Sequence, residues 1–238
     1  LRLIERAGSP RTSTVAAALT RQALVLKNRD GDLEGARSLY RQALDLFREL
    51  EGATFPDVAN TLNQLALVAA DLGDPAEARD LHSEALAVRR RLYTGGHWEI
   101  GQSLEHLGML ALDAGDAGTA IGHFEALVDA STTLYEPTDG RTVRHHLLLA
   151  EALLTDGRVA DAEALLRVQL DEVHRAARPA GSRLIVWAEG MLGVALLDQG
   201  QDHGRRLLET SLEALRAKPQ AYEKPLDWLE RQHRRLVV

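Results

Sequence analysis

The segment Leu65-Ala66-Leu67-Val68-Ala69-Ala70-Asp71-Leu72-Gly73-Asp74-Pro75-Ala76-Glu77-Ala78 carries the pattern that decides the fold. Apolar residues before the glycine recur every three or four positions, as they do on the buried stripe of an amphipathic helix. Gly73 supplies the positive φ that ends a helix, and Pro75 suits the first turn of the next one. The segment therefore predicts two antiparallel helices joined by a tight turn.

The same arrangement returns along the chain with a period of 42 residues, at Gly31, Gly73, Gly115 and Gly157, and after 43 residues at Gly200. The residue five positions after each of the first four glycines is small: Ala36, Ala78, Ala120 and Ala162. The residue nine positions after them is larger: Tyr40, His82, Phe124 and Leu166. In the fifth unit Gly204 and Leu208 take these two positions one residue early, and in the first unit Ala23-Leu24 aligns with Leu65-Ala66. A repeat of this kind indicates one helical hairpin per unit.

A single hairpin cannot bury its apolar face, so neighbouring hairpins must stack into one core. We predict an all-α solenoid of antiparallel helix pairs with five hairpins, at about residues 13–54, 55–96, 97–138, 139–180 and 181–216. Residues 1–12 are predicted to end a preceding repeat of a longer chain, or to form an N-terminal cap. Residues 217–238 are predicted to form a C-terminal capping helix, with Leu226, Leu229 and Leu236 on its apolar stripe. Residues 178–182 are the predicted place of a bend.

Composition argues against several classes of function. The net charge of −7 disfavours a general affinity for nucleic acid, because phosphate binding needs a cationic surface. The densest basic run, Arg89-Arg90-Arg91, is interpreted as a solvated helix face near a helix C-terminus. There is no cysteine, no secretory signal sequence and no apolar run long enough to span a bilayer. We therefore predict a cytoplasmic protein that binds neither nucleic acid nor membrane.

The recurring small and large residues resemble the tetratricopeptide repeat, and the long unit resembles its kinesin-light-chain type. The most similar stretch is Phe55-Pro56-Asp57-Val58-Ala59-Asn60-Thr61-Leu62-Asn63-Gln64-Leu65-Ala66, whose start is echoed by His97-Trp98-Glu99-Ile100. The resemblance covers about residues 13–216. It implies a right-handed superhelix that binds a peptide or a partner helix in its concave groove, without a cofactor.

The resemblance also implies which first-helix side chains face that groove. Carried over by repeat position, they are Arg21, Asn28, Arg29, Asn60, Asn63, Asp71, Gln102, Glu105, Met109, Asp113, Arg144, Glu151 and Trp187. The chain departs from the family pattern, because Asn63 is followed by Gln64 instead of a second Asn. The Lys and Asn set with which related domains clamp a C-terminal carboxylate is also missing.

Motifs for chemistry are absent or weak in this sequence. His145 and His146 are adjacent, so on a helix they point about 100° apart and do not share a metal ion readily. His82 stands at an aromatic position of the repeat and is predicted to be a core or subsurface residue. Trp98 and Trp187 are predicted to pack between repeats, with a ligand anchor as the alternative. No phosphate-binding loop or nucleophile motif occurs, so we predict a protein that is not an enzyme.

Two functions remain open from the sequence. The first is a protein-interaction module that binds a protein or peptide partner. The second is a regulatory or sensor segment of a larger bacterial signalling protein, such as a kinase or a nucleotide-switch ATPase. In that case the partner is a domain of the same chain, or a small signal.

Overall fold

A computed structural model describes residues 10–51, 56–176, 182–217 and 223–237. Within these ranges the regular secondary structure is entirely helical. This confirms the predicted all-α fold built from repeated helices. The chain divides into two compact units, which we call unit 1 (residues 1–110) and unit 2 (residues 111–238). In the described part of the chain no helix is both long enough and apolar enough to cross a membrane.

Unit 1 is a row of helices that pack on their neighbours in chain order. The helices are α1 (Pro10–Val25, continued by a π-helical turn at Leu26–Asp30), α2 (Leu33–Glu51), α3 (Pro56–Asp71), α4 (Pro75–Leu92) and α5 (Trp98–Asp113), of which residues 98–110 belong to unit 1. Helix α1 packs on α2, α2 on α3, and α3 on α4. The core between them is built from alanines and larger side chains such as Tyr40, Phe47 and Leu62. Small residues let the helices approach closely, which suits a stack of hairpins.

Unit 2 repeats this packing. Its helices are α6 (Ala117–Leu134), α7 (Gly140–Thr155), α8 (Val159–Arg175), α9 (Arg183–Asp198), α10 (Gly204–Arg216) and α11 (Glu223–Val237). Each of α6 to α10 packs on the next, α7 also contacts α9, and α11 lies against both α9 and α10. Leu229 of α11 is fully buried and Leu226 and Trp228 nearly so, whereas Arg231, Arg234 and Arg235 are exposed.

The turn inside each hairpin depends on its glycine. Gly73 has φ +82° and Gly115 has φ +78°, and the other three repeat glycines lie in the same left-handed region. This confirms that each glycine ends a first helix with a positive φ. The helix that follows begins with Pro75, as the sequence predicts, and the Asp74 carboxylate caps it by accepting a 3.0 Å hydrogen bond from the Glu77 backbone N–H.

Burial confirms the repeat positions. The four small residues after the glycines are 0% exposed, and the four larger residues nine positions after them are at most 2% exposed. The fifth unit follows the same plan one residue early: Gly204 is buried against Gly193 of α9, and Leu208 is 0% exposed. A side chain at Gly193 would place its Cβ 2.7 Å from the Gly204 carbonyl oxygen and 2.7 Å from the Leu208 backbone nitrogen. The backbones of α9 and α10 are therefore in contact at this point.

The alignment of α1 predicted from the sequence is wrong by one residue. Leu24, aligned with the fully buried Ala66, is 44% exposed, whereas Ala23 is fully buried. The π-helical turn at Leu26–Asp30 explains the shift, because a π turn holds one more residue than an α turn. Ala16 and Ala23 of α1 therefore correspond to Ala59 and Ala66 of α3, and both pairs are 0% exposed.

Parts of the predicted organisation are not described by the structure. Most of the proposed N-terminal segment and residues 178–181 of the proposed bend lie outside the described residues. Helix α1 begins at Pro10, three residues before the predicted start of the first hairpin. The division into five hairpins with two end segments stays a prediction.

Candidate functional site

The predicted binding residues of unit 1 lie on its first helices α1, α3 and α5, and they differ in exposure. Arg21, Asn28, Arg29, Asn60 and Asp71 are exposed, and Gln102, Glu105 and Met109 are half-buried. Asn63 is only 2% exposed, and its Oδ1 has no hydrogen-bond partner among the described residues. Asn63 is therefore part of the packing rather than of the exposed face.

A buried arginine joins α3, α4 and α5 beneath the exposed residues. Arg89 of α4 is 1% exposed. Its Nη1 donates to the Glu99 carbonyl oxygen at 2.8 Å and to Ser103 Oγ at 2.7 Å. Its Nη2 donates to Asn60 Oδ1 and to Gln102 Oε1, each at 3.2 Å. One guanidinium thus holds two of the predicted binding residues.

The charge on Arg89 is partly compensated. Burial lowers the pKa of Arg89, and the negative charge of Glu99, itself 6% exposed, acts to raise it. Arginine keeps its proton under these conditions because its ordinary pKa is very high. Buried charges are tolerated in proteins when hydrogen bonds and an opposite charge accompany them, and Arg89 has both.

The sequence interpretation of Arg89 as part of a solvated face is wrong, although it holds for the exposed Arg90 and Arg91. A signal was available, since Arg89 follows His82 and Ala85 on the buried stripe of α4. Both of those residues are at most 2% exposed. A charged residue on an otherwise buried stripe indicates an internal partner, but the sequence did not show where that partner lay.

A stacked histidine pair lies near Arg89. His82 of α4 and His106 of α5 have ring centroids 4.6 Å apart and planes at 15°. His82 is 2% exposed, which confirms the prediction of a core residue. Burial is the largest cause that lowers the pKa of His82 to about 3, and His106 and Arg89 add to it. His82 is therefore neutral at physiological pH and acts as a packing residue.

Ion pairs engage charged side chains at the C-terminal ends of the first helices in unit 1. Lys27 Nζ, in the π-helical turn, lies 2.9 Å from an Asp71 carboxylate oxygen at the end of α3. Arg29, predicted at the same repeat position as Asp71, pairs with the adjacent Asp30 at 2.9 Å. The acidic and basic side chains of this face are therefore partly neutralised within the chain.

In unit 2 the predicted binding residues differ in exposure, and one of them, Glu151, interacts electrostatically with the C-terminal helix. Asp113 is exposed, Arg144 and Glu151 are half-buried, and Trp187 is 4% exposed, which confirms packing rather than a ligand anchor for that tryptophan. Burial raises the pKa of Glu151 to about 7; Arg231 and Lys224 of α11 lower it, and Asp113 raises it. Arg235 of α11 pairs with Asp198 of α9 at 2.6 Å. Charged side chains of α11 therefore interact electrostatically with acidic side chains of α7 and α9.

Histidine and serine side chains of unit 2 make hydrogen bonds within the fold. Ser131, 2% exposed, donates to the Leu127 carbonyl oxygen at 2.8 Å and is hydrogen-bonded to His145 Nδ1. His146 Nδ1 lies 2.9 Å from the Thr142 carbonyl oxygen. The described residues contain no group of three or more His, Asp or Glu side chains placed to hold a metal ion.

An aromatic group marks the connection between α4 and α5. Tyr93 and His97 stack with centroids 3.6 Å apart, and Trp98 follows at 6.1 Å from His97. Trp98 is 56% exposed, so the prediction that it packs between repeats is wrong. Its position at the first residue of α5 turns the ring outward, unlike that of Trp187.

Comparison with known proteins agrees with this geometry. Two models of the tetratricopeptide repeat match residues 14–93 and 105–179, together more than half of the chain. No curated protein matches. Among solved structures, a kinesin-light-chain-like protein of P. anserina with nearly identical TPR-like repeats has a TM-score of 0.74 and 19% identity, covering 89% of this chain and 99% of that chain.

Two further structures share the fold. BtubC (BKLC) from P. vanneervenii has a TM-score of 0.70 and 16% identity, covering 88% of this chain and 83% of that chain. YrrB, described as a TPR protein with an unusual peptide-binding site, has a TM-score of 0.56 and 16% identity, covering 89% of this chain and 90% of that chain. The family models and the repeated hairpin geometry lead to one conclusion: the chain belongs to the tetratricopeptide-repeat family.

Proposed function

We propose that this chain is a non-catalytic interaction module that binds an extended peptide segment of a partner protein on the first-helix face of unit 1. Tetratricopeptide-repeat proteins are typically protein-interaction modules, and the family is generally non-catalytic. Within that class, the 16–19% sequence identity to the three solved structures named above does not transfer a ligand to this chain. The proposal therefore depends on the residues of this chain.

One observation carries the proposal. Asn60 of α3 and Gln102 of α5 occupy equivalent repeat positions, both have accessible surface, and one buried guanidinium holds both. Side chains held in place before binding lose little conformational freedom when a ligand arrives. A peptide lying across α3 and α5 meets two amides that are already ordered.

The corresponding region of unit 2 supports the proposal less well. Trp187 is buried there, and Glu151 lies in the field of Arg231 and Lys224 from the chain's own α11. This electrostatic interaction favours the regulatory alternative for unit 2, in which the chain itself acts on its first-helix face. The peptide site is accordingly assigned to unit 1.

The proposal is tested by selecting linear peptides from a displayed random library on the parent chain and measuring their affinity for variants. Asn60→Ala with Gln102→Ala should weaken binding by roughly tenfold or more, because two ordered hydrogen-bonding groups are lost. Arg79→Ala is the control, since Arg79 is exposed on α4, a second helix. Selected peptides that bind the double variant as tightly as the parent would place the site elsewhere.

A further inference from the structure

The four hydrogen bonds described for Arg89 all go to oxygen atoms. Arginine carries five N–H donors and no acceptor. The oxygens around it are the Glu99 carbonyl, Ser103 Oγ and the two amide oxygens of Asn60 and Gln102. A carboxamide that offers its oxygen to Arg89 has to turn its NH2 group away from it.

This constraint gives the two amides the same polarity. Their oxygens accept from the same atom, Nη2, so the amides lie side by side with both NH2 groups directed away from the guanidinium. In the reverse orientation, NH2 groups would face a buried cation that only donates, which is unfavourable. Asn60 is exposed and Gln102 is half-buried, so both side chains have surface that a ligand can reach.

We infer that Arg89 is a positioning residue that makes the Asn60–Gln102 pair a donor surface, selective for the main-chain carbonyl oxygens of an extended peptide. The inference rests on the proposed function and adds the chemistry of the contact. Arg89 does not touch the ligand, because it is buried beneath the amides it orients. At these two positions the pair directs its N–H donors toward a ligand and its amide oxygens toward Arg89, so it favours ligand groups that accept over groups that only donate.

The orientation is tested first without any ligand. Asn60→Asp and Gln102→Glu, as single variants, keep the shape and the oxygen that faces Arg89 but replace the NH2 group with a second oxygen. Thermal unfolding should show a midpoint equal to that of the parent or higher, because a carboxylate accepts from arginine more strongly than an amide does. A clear fall in the midpoint of both variants would overturn the inference, since it would mean that the NH2 groups have inward partners.

The use of the donors is tested with peptides selected from a displayed random library on the parent. Each single variant should weaken their binding by about tenfold or more, because a lost donor becomes a repelling acceptor. Gln42→Glu on α2 is the matched control: it makes the same chemical change at an exposed site whose amide contacts Ser38, and it should bind like the parent. A loss of binding without a loss of stability is a result that a purely structural role of Arg89 does not produce.

Arg89→Met completes the test by releasing both amides. If it folds, its affinity for the same peptides should fall by about tenfold, since each amide then populates both orientations; parent-like affinity would overturn the positioning role. If it does not fold, the two single variants still decide the question. Variants that bind within twofold of the parent would overturn the inference but leave the proposed function standing, whereas a parent that selects no peptide would overturn both.

Discussion

The contact between α9 and α10 provides a sharp prediction, because two backbones meet there. A Cβ added at Gly193 would lie 2.7 Å from both the Gly204 carbonyl oxygen and the Leu208 backbone nitrogen, and 3.1 Å from Leu208 Cβ. Backbone atoms cannot rotate aside as a side chain does, so Gly193→Ala forces the helices apart. The control is Gly122→Ala in α6, where an added Cβ meets nothing within 4 Å.

The two substitutions share one favourable effect and differ in one cost. Alanine is preferred to glycine inside a helix by about 0.8–1.0 kcal/mol, which both variants gain. Overpacking typically costs about 1–3 kcal/mol, and we expect a value near the upper end at Gly193 because the obstacles are backbone atoms. Gly193→Ala should therefore lower the free energy of unfolding by about 2 kcal/mol, whereas Gly122→Ala should raise it by about 1 kcal/mol.

The assay is reversible chemical and thermal unfolding of both variants and the parent. For a chain of this size the expected midpoint shifts are about 4–8 °C downward for Gly193→Ala and about 2–4 °C upward for Gly122→Ala. Amide hydrogen exchange should show faster opening of α9 and α10 in the first variant alone. If both variants are stabilised equally, the close approach of α9 and α10, and with it the one-residue-early position of Gly204, is refuted.

Three further changes have predicted outcomes. Gly115→Ala should destabilise the chain by about 1–2 kcal/mol in thermal unfolding, since its φ of +78° is strained for any L side chain; stability equal to that of the parent would contradict a left-handed turn. His82→Leu should reduce the loss of stability as pH falls from 6.5 to about 3, a window in which the unfolded chain binds a proton that the folded chain excludes; an unchanged urea-midpoint profile would show that His82 is protonated when folded. The parent should lose stability as pH rises from 4.5 through about 7, because the folded Glu151 carboxyl keeps its proton to a higher pH than the unfolded one, and Glu151→Gln should remove this loss. The same profile of urea midpoint against pH in variant and parent would argue against burial of that carboxyl.

The sequence predicted well the features that recur in every repeat. The five repeat glycines end helices with positive φ, and the residues five and nine positions after the first four are buried, as are Gly204 and Leu208 after the fifth, because every hairpin has to meet the same geometric requirement. A structural requirement that recurs in each hairpin leaves a pattern in the sequence that is visible without an alignment. The small and large positions of the shortened fifth unit could also be identified, since Gly204 and Leu208 keep their spacing to each other.

The sequence predicted less well where one repeat departs from the others. The π-helical turn at Leu26–Asp30 absorbs an extra residue, so the alignment by glycines misplaced Leu24. Periodicity detects such an insertion only when the residues on both sides of it are strongly patterned. In α1 the buried positions are mostly alanine, which carries little contrast with its neighbours.

Only the tertiary structure decided which polar side chains remain available to a ligand. Asn60 and Asn63 are three residues apart on one helix, yet one is exposed and the other buried, because packing covers only one of the two positions. Arg89 is separated from Asn60 by 29 residues and from Gln102 by 13. The spacing of the repeats does not predict these hydrogen bonds. Helix ends and core positions follow from local backbone and burial requirements, which the sequence determined by itself. The partners of a buried charge depend on which distant side chains the packing brings within hydrogen-bond reach.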